Sequence, residues 1–324
     1  MKIAVIGYGD TTTPSTRFRF LDFQPFYAKA TIDLLFIPRK KLREKSTWSQ
    51  LQKVDLVVNQ KCLLSYQESQ KLRSLNVPII FDFDDAIWTR PLKSFSWITQ
   101  QKVNRRLKRA LKTANHVTVA NQHLADYAMK YSNNVSVIPM SLDEKWQPID
   151  KQPSNKIRIG WNGSPGNLSY LEPIIPALET LQKEHPKVEI AIYCGKRPSM
   201  PFPFIYQDYN PAKEVRFIQQ LDIGLLPLPD DEYSHGKSPI KSLQYQACGV
   251  TVAGNVSKGA SEFLTEHSCQ IISQGGDWLE AIEKLVTQEE KRKTLAAEGL
   301  QHFSKHHTQT VVFEQIRKVY KSCL

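Results

Sequence analysis

Lys237 and Lys241 flank the start of a helix in the stretch HGKSPIKSLQYQACGVTVAGN, residues 235–255. Ser238 suits the N-cap, Pro239 the first helical position and Gly249 the C′ position, so both ends of the helix are marked. Cations at the positive end of a helix dipole are unfavourable unless an anion is shared with them. Backbone N–H groups at a helix N-terminus, joined by two ammonium groups, form a receptor for a doubly charged anion such as a diphosphate. The plain alternative is two solvated lysines at a slightly unfavourable place.

Other stretches carry groups of similar potential. Gly163 and Ser164 lie in NGSPGN, where small residues let backbone approach a ligand closely, or simply make a tight turn. FDFDDAIW ends an apolar run with Asp82, Asp84 and Asp85, and strand alternation puts the first two on one face and the third on the other. Three acids could hold a divalent metal; hydrogen bonds to hydroxyls, or an ion pair with Arg17 or Arg19, are the favoured roles. Those arginines, two apart in STRFRF, diverge on a helix, one toward a ligand and one toward the surface. Gly9 lies in GYGDTTT, which lacks the GxGxxG fingerprint, so no dinucleotide coenzyme is expected. The absence of CxxC and HExxH spacings argues against zinc, and five scattered cysteines read as reduced core thiols.

The elements that must position these residues alternate regularly. Apolar runs at 2–8, 31–38, 54–60, 77–83, 116–121 and 135–140 read as strands buried on both faces of a parallel sheet, with helical segments between them. Residues 140–156 lose this pattern and read as a linker. Runs at 156–162, 188–195, 202–209, 221–228, 250–255 and 268–273 repeat the scheme. Two doubly wound α/β domains follow, 1–150 and 151–324. Ligands of such sheets sit beyond the carboxyl ends of strands, which directs attention to the loops after Tyr8, Phe83, Asn162, Gly195 and Leu228.

The net charge of +11 is concentrated in the first half: no acid falls between Asp85 and Asp126, whereas Arg90, Lys93, Lys102, Arg105, Arg106, Lys108, Arg109 and Lys112 do. Residues 99–114 form a basic amphipathic helix with an apolar stripe of Val103, Leu107, Ala110, Leu111 and Ala114. An anionic membrane surface fits this face, with RKKLREK at 39–45 adding to it. No recognition helix, RNP motif or stacking aromatics accompany it, so specific nucleic-acid binding is not expected. The apolar stretch of the N-terminus is too short for a signal peptide, which leads to an expected cytoplasmic location, peripheral at the inner face of the membrane.

Taken together, TPSTRFRF, FDFDDAIW, HVTVANQHLADYA, SVIPMSLD, IGWNGSPGNLSYL, DIGLLPLPDD and GKSPIKSLQYQACGVTVAGN resemble, in order, the motifs of retaining GT-B glycosyltransferases, family 4 in particular. The resemblance covers most of the chain. It implies two Rossmann-like domains with an interdomain cleft: an N-terminal domain for a glycan or lipid-linked acceptor and a C-terminal domain for a nucleoside diphosphate sugar, with the last helix packing back on the first. Lys237 and Lys241 would carry catalysis, and Gly163, Ser164, His235, Gly236, Ser238 and Gln244 would bind the donor. Gly9, Arg17, Arg19, Asp84 and Asp85 would line the acceptor side. Retention of configuration, no cofactor and no metal are implied, with a role in polysaccharide or glycolipid synthesis.

The chain departs from that family at two places. Many members carry two glutamates eight residues apart, the second on the ribose hydroxyls; here Gly236 and Gln244 stand there, and Gln244 retains hydrogen-bonding capacity for a ribose. WNGSPGNLS also lacks the usual Arg and Lys pair, leaving its charge to Lys237 and Lys241, or to Lys196 and Arg197. The missing carboxylates keep open a catalytically inert GT-B scaffold that binds a nucleotide or a partner. The charge alone suggests a third reading, a nucleic-acid-binding protein.

Overall fold

The computed structural model describes residues 1–91, 94–238, 240–261 and 264–324; Lys93 and Pro239, both singled out above, lie outside the described residues. One compact unit comprises Met1–Ser141, Asp231–Ser238 and Gln309–Leu324, and the other comprises Leu142–Asp230 and Pro239–Thr308. This division differs from a single cut at residue 150, because two later segments belong with the first sheet.

The first sheet contains β1 (Lys2–Gly7), β2 (Asp33–Pro38), β3 (Leu56–Gln60), β4 (Ile79–Phe83), β5 (His116–Val119) and β6 (Val135–Val137). Their order is β2-β1-β3-β4-β5-β6. Every pairing is parallel. Alternation along β1 sends Ile3 and Val5 into one core, with Phe20, Phe23 and Tyr27, and Ala4 and Ile6 into the other, with Trp48 and Leu51. The helices of this stretch are α1 (Pro14–Arg19), α2 (Gln24–Lys29), α3 (Lys45–Leu51), α4 (Tyr66–Arg73), α5 (Trp97–Thr113) and α6 (Gln122–Ala128).

The second sheet contains β7 (Ile157–Gly163), β8 (Val188–Cys194), β9 (Ile205–Gln207), β10 (Ile223–Leu226), β11 (Thr251–Gly254) and β12 (Cys269–Ile271). Their order is β12-β11-β10-β7-β8-β9. These pairings are parallel too. The remaining helices are α7 (Ile175–Glu184), α8 (Glu214–Gln219), α9 (Glu232–His235), α10 (Ile240–Ala247), α11 (Trp278–Thr287), α12 (Glu289–His306) and α13 (Gln309–Cys323). Ile159, Trp161, Ile190, Ile192 and Leu225 pack with Leu178, Leu181, Ile282 and Leu285 from α7 and α11.

Each expected strand is present at its expected run, since parallel strands buried on both faces leave a continuous apolar signal. Strand order reverses between β1 and β3 in the first sheet and between β7 and β10 in the second, so each sheet offers a ligand crevice at the carboxyl ends there. Gly249 closes α10 at φ +66°. Its N–H donates to the Gln246 carbonyl at 3.0 Å and that of Val250 to the Tyr245 carbonyl at 2.9 Å, a Schellman closure.

Helix α13 belongs to the first unit because it completes its core. Val312, Phe313, Ile316, Val319 and Tyr320 pack with Ile3, Val5, Phe20 and Phe23. The Tyr27 and Tyr320 hydroxyls lie 3.4 Å apart beneath them.

Candidate functional site

In the second unit the residues gather where β7 and β10 part. Asn162, near the end of β7, is 2% exposed. Its Nδ2 donates to Gln244 Oε1 at 2.9 Å, and its backbone N–H donates to the Tyr245 hydroxyl at 3.3 Å. Lys241, in the first turn of α10, holds its ammonium 4.9 Å from the centroid of the Trp161 ring. A Cβ at Gly163 would come within 2.2 Å of that ring and 2.9 Å of Lys241 Nζ, so only glycine lets lysine and indole close over the end of β7. Ser164 to Gly166 are exposed and open a 3-10 turn, Pro165–Tyr170. The result is a cation and exposed backbone at the switch point, beside the first turn of a helix. That combination suits a phosphate.

Gln244 lies deeper than a residue in direct reach of a ligand. It is 2% exposed, its Oε1 is taken by Asn162, and its Nε2 donates to Glu214 Oε1 at 3.3 Å. Both ends of its amide are thus engaged by side chains of the second unit. Arg197 is drawn aside, its guanidinium lying 4.8 Å from the Phe204 ring and 5.2 Å from that of Tyr206.

In the first unit the carboxylates and the other lysine come together. Lys61 follows β3 in a left-handed conformation, φ 54°, uncommon for a residue with a side chain. Its Nζ lies 2.6 Å from Asp84 Oδ1 and 2.5 Å from Asp85 Oδ2. Asp84 and Asp85 therefore do not point to opposite faces: β4 ends at Phe83, alternation stops there, and one ammonium draws both carboxylates in. Burial pushes Asp84 up to about 6, against the pull of Lys61. At Asp85 burial acts the same way, but the Lys61 charge outweighs it and holds the carboxyl below its usual range.

The Asp231–Ser238 segment docks beside this cluster. Glu232 accepts from Trp88 Nε1 at 3.1 Å and pairs with His123 Nε2 at 3.3 Å. Asn121 Nδ2 donates to the Gly236 carbonyl at 3.2 Å and to Ser238 Oγ at 3.1 Å. A Cβ at Gly236 would meet the Ala86 Cβ at 2.5 Å and its backbone nitrogen at 2.9 Å, so the position that holds a glutamate in many GT-B enzymes has no room for a side chain here. The His235 and His123 rings meet edge to face, centroids 5.9 Å apart. Burial draws Lys237 below the usual lysine value, against the attraction of Asp85. The two lysines of the sequence motif thus belong to different units, Lys237 with Asp85 and Lys241 with Trp161.

Arg19 is 4% exposed and forms a buried pair with Asp82, which also accepts from Thr118 Oγ1 at 2.7 Å. Arg17 is partly exposed, with its guanidinium 3.5 Å from Asp22. Gly9 lies just beyond β1, with the space a side chain would need filled by Thr13. Among the described residues, Glu184, His185 and Glu283 are the one group of His, Cys, Asp or Glu able to converge on a metal. They lie at the C-terminal end of α7 and on α11, away from the strand ends just described.

Sequence reasoning missed Lys61, Glu214 and Asn121. A lysine directly after the buried run VDLVVNQ was a usable signal, because that loop too lies at the carboxyl edge of the sheet. Nothing in the sequence around Glu214 marks it.

Residues 175–318 match the Glycosyl transferase-like family, a range that includes Lys237, Lys241, Glu214 and Gln244 but not Gly163. No curated protein matches the chain significantly. Among solved structures, HepE of Anabaena in complex with UDP and glucose has a TM-score of 0.73 at 12% identity, covering 99% of this chain and 100% of that one. A glycosyltransferase from Rickettsia africae gives 0.69 at 11%, covering 99% and 98%. S. aureus MnaA in complex with UDP gives 0.58 at 13%, covering 100% and 98%. The chain has the GT-B type of α/β fold, and residues 175–318, most of them in the second unit, are similar to the Glycosyl transferase-like family.

Proposed function

We propose that this glycosyltransferase-type enzyme moves a sugar from a nucleoside diphosphate sugar, held by the second unit, to a glycan or lipid-linked acceptor at the first. The observation that carries the reading is the convergence of Lys241, Gly163 and the first turn of α10 at the β7/β10 switch point. As the donor bond breaks, charge grows on the diphosphate, and a fixed ammonium beside helix N–H groups stabilises it without reorganisation. Asp84 and Asp85, held by Lys61, offer acceptors to the hydroxyls of an incoming sugar. Retention of configuration, independence from metal and a role in cell-surface polysaccharide or glycolipid synthesis complete the proposal and rest on the sequence resemblance.

A binding scaffold without transferase activity is the second reading, favoured by the absence of a side chain at 236 and the buried amide at 244. A thermal-shift screen against UDP-, GDP-, dTDP- and CMP-sugars, followed by assay of nucleotide release, separates the two. The transferase reading expects stabilisation by one donor class, about 2.7 kcal/mol at a hundred times its Kd, together with turnover. Stabilisation without turnover on any acceptor class favours the scaffold.

Among the described residues no helix is long and apolar enough to cross a membrane. Helix α5 supports a peripheral attachment. Leu107, Ala110 and Leu111 are buried, while Lys102, Arg105, Lys108 and Lys112 face solvent. At its start Trp97 and Ile98 are 75% and 74% exposed, and they share a groove with Tyr66. Aromatic and aliphatic side chains beside a basic face match an interfacial helix on anionic lipid. Replacing Arg105, Lys108, Arg109 and Lys112 with Gln is expected to release the protein from anionic liposomes in co-sedimentation, each charge contributing about 1 kcal/mol, with nucleotide affinity unchanged. Undiminished co-sedimentation would remove the membrane from the proposal.

A further inference from the structure

The end of α7 repeats, with the sign reversed, the oddity at the start of α10. A carboxylate at the C-terminus of a helix opposes the negative end of its dipole unless a cation is shared with it. Glu184 is the last residue of α7 and His185 its C-cap. Glu283 is on α11, whose Ile282 and Leu285 share a core with Leu178 and Leu181 of α7. One ligand atom from each of the three, two carboxylate oxygens and an imidazole nitrogen, lies within 4.8 Å of the others.

The lysines next to these carboxylates in sequence are engaged elsewhere. Lys183 pairs with Glu179 at 2.7 Å, and Lys284 pairs with Glu280 at 2.6 Å. Among the described residues, Glu283 pairs with His185 alone, Nε2 lying 3.0 Å from Oε1, and Glu184 forms no ion pair. Two ionised carboxylates so close together repel, and a single imidazole can offset at most one of them. The field of the helix end and the surplus of negative side chains therefore favour the same thing, a bound cation.

The donor set selects the ion. Calcium and magnesium prefer oxygen ligands throughout, whereas an imidazole nitrogen beside carboxylate oxygens suits zinc. We infer that Glu184, His185 and Glu283 form a zinc-binding site that ties the end of α7 to α11, with water completing the coordination. Ligand atoms around a tetrahedral zinc stand roughly 3.3–3.6 Å apart, and Glu184, which is exposed, and Glu283, which is partly so, reach that spacing by rotating their own side chains. His185 is three residues before Val188, the start of β8, so the site lies at the amino edge of the second sheet. Zinc there braces the second unit and takes no part in the transfer step at the opposite edge.

Protein stripped of metal with EDTA and exchanged into chelator-free buffer is titrated with zinc chloride by calorimetry, and its unfolding midpoint is followed in parallel. The parent protein should bind zinc and melt later with it, because a ligand of the folded state alone raises stability by mass action. Glu283→Gln and His185→Ala should each weaken zinc binding by about tenfold or more, since even the loss of an outer-shell partner costs that much. The readout is the change in midpoint on adding zinc, so a variant somewhat less stable than the parent still reports. Magnesium chloride should not replace zinc. His302→Ala is the control, because the rings of His302, His306 and His307 also gather, with centroids 4.8 to 6.4 Å apart, and it should leave the zinc response intact. No zinc binding by the parent protein, a response of undiminished size in either site variant, or an equal response to magnesium overturns the site.

Discussion

Arg19→Ala is expected to cost about 3–5 kcal/mol of stability, read as an earlier midpoint in urea unfolding, because removing one partner strands a buried charge. The guanidinium donates to both oxygens of Asp82 and to the Ile138 carbonyl, and both ends of the pair are almost fully enclosed. Without it, among the described residues the Asp82 carboxylate keeps only the Thr118 hydroxyl. Replacing both partners, Arg19→Met with Asp82→Leu, should recover most of the loss, since an apolar pair leaves no charge unmatched. An Arg19→Ala protein as stable as the parent would show that the pair is not needed for folding and return Arg19 to the list of ligand-binding candidates.

Lys241→Ala is expected to weaken nucleoside diphosphate binding by about 1.5–3 kcal/mol, roughly 10- to 150-fold, in titration calorimetry. The side chain is already ordered, with its ammonium over Trp161 and against Gly163, so little freedom is lost when a phosphate arrives. Lys241→Arg should recover only part of the affinity, because a planar fork does not fit the space left by that ring and glycine. Unchanged affinity in Lys241→Ala would put the diphosphate elsewhere.

The strands could be read from composition because a parallel strand buried on both faces is apolar nearly throughout, as in IIFDF of β4 and IGLL of β10. Gly163 and Lys241 were legible for a local reason: small residues after a strand and a cation in the first turn of a helix are signals carried by neighbouring residues. Lys61 and Glu214 contact partners distant in sequence, Asp84 and Asp85 in one case and Gln244 in the other. The residue type of Gln244 permits ribose binding, but its burial, set by the packing of α10 on the sheet, was not legible in the sequence. The pairing of Arg19 with Asp82 was among the options weighed from sequence, but choosing it over a cleft role required the depth of both side chains.

The place of α13 in the first unit bears on how the chain matures as it is made. Residues 142–308 leave the ribosome before Val312, Phe313 and Ile316, which fill the core around Ile3, Val5 and Phe23. At about 5–20 residues per second, the apolar face of the first sheet waits roughly 10–40 s for its cover after Ser141 has been added. The second unit acquires every strand and helix of its own before that cover arrives. The half synthesised first is the half completed last, and during the interval its uncovered sheet is the surface that a holding chaperone would meet.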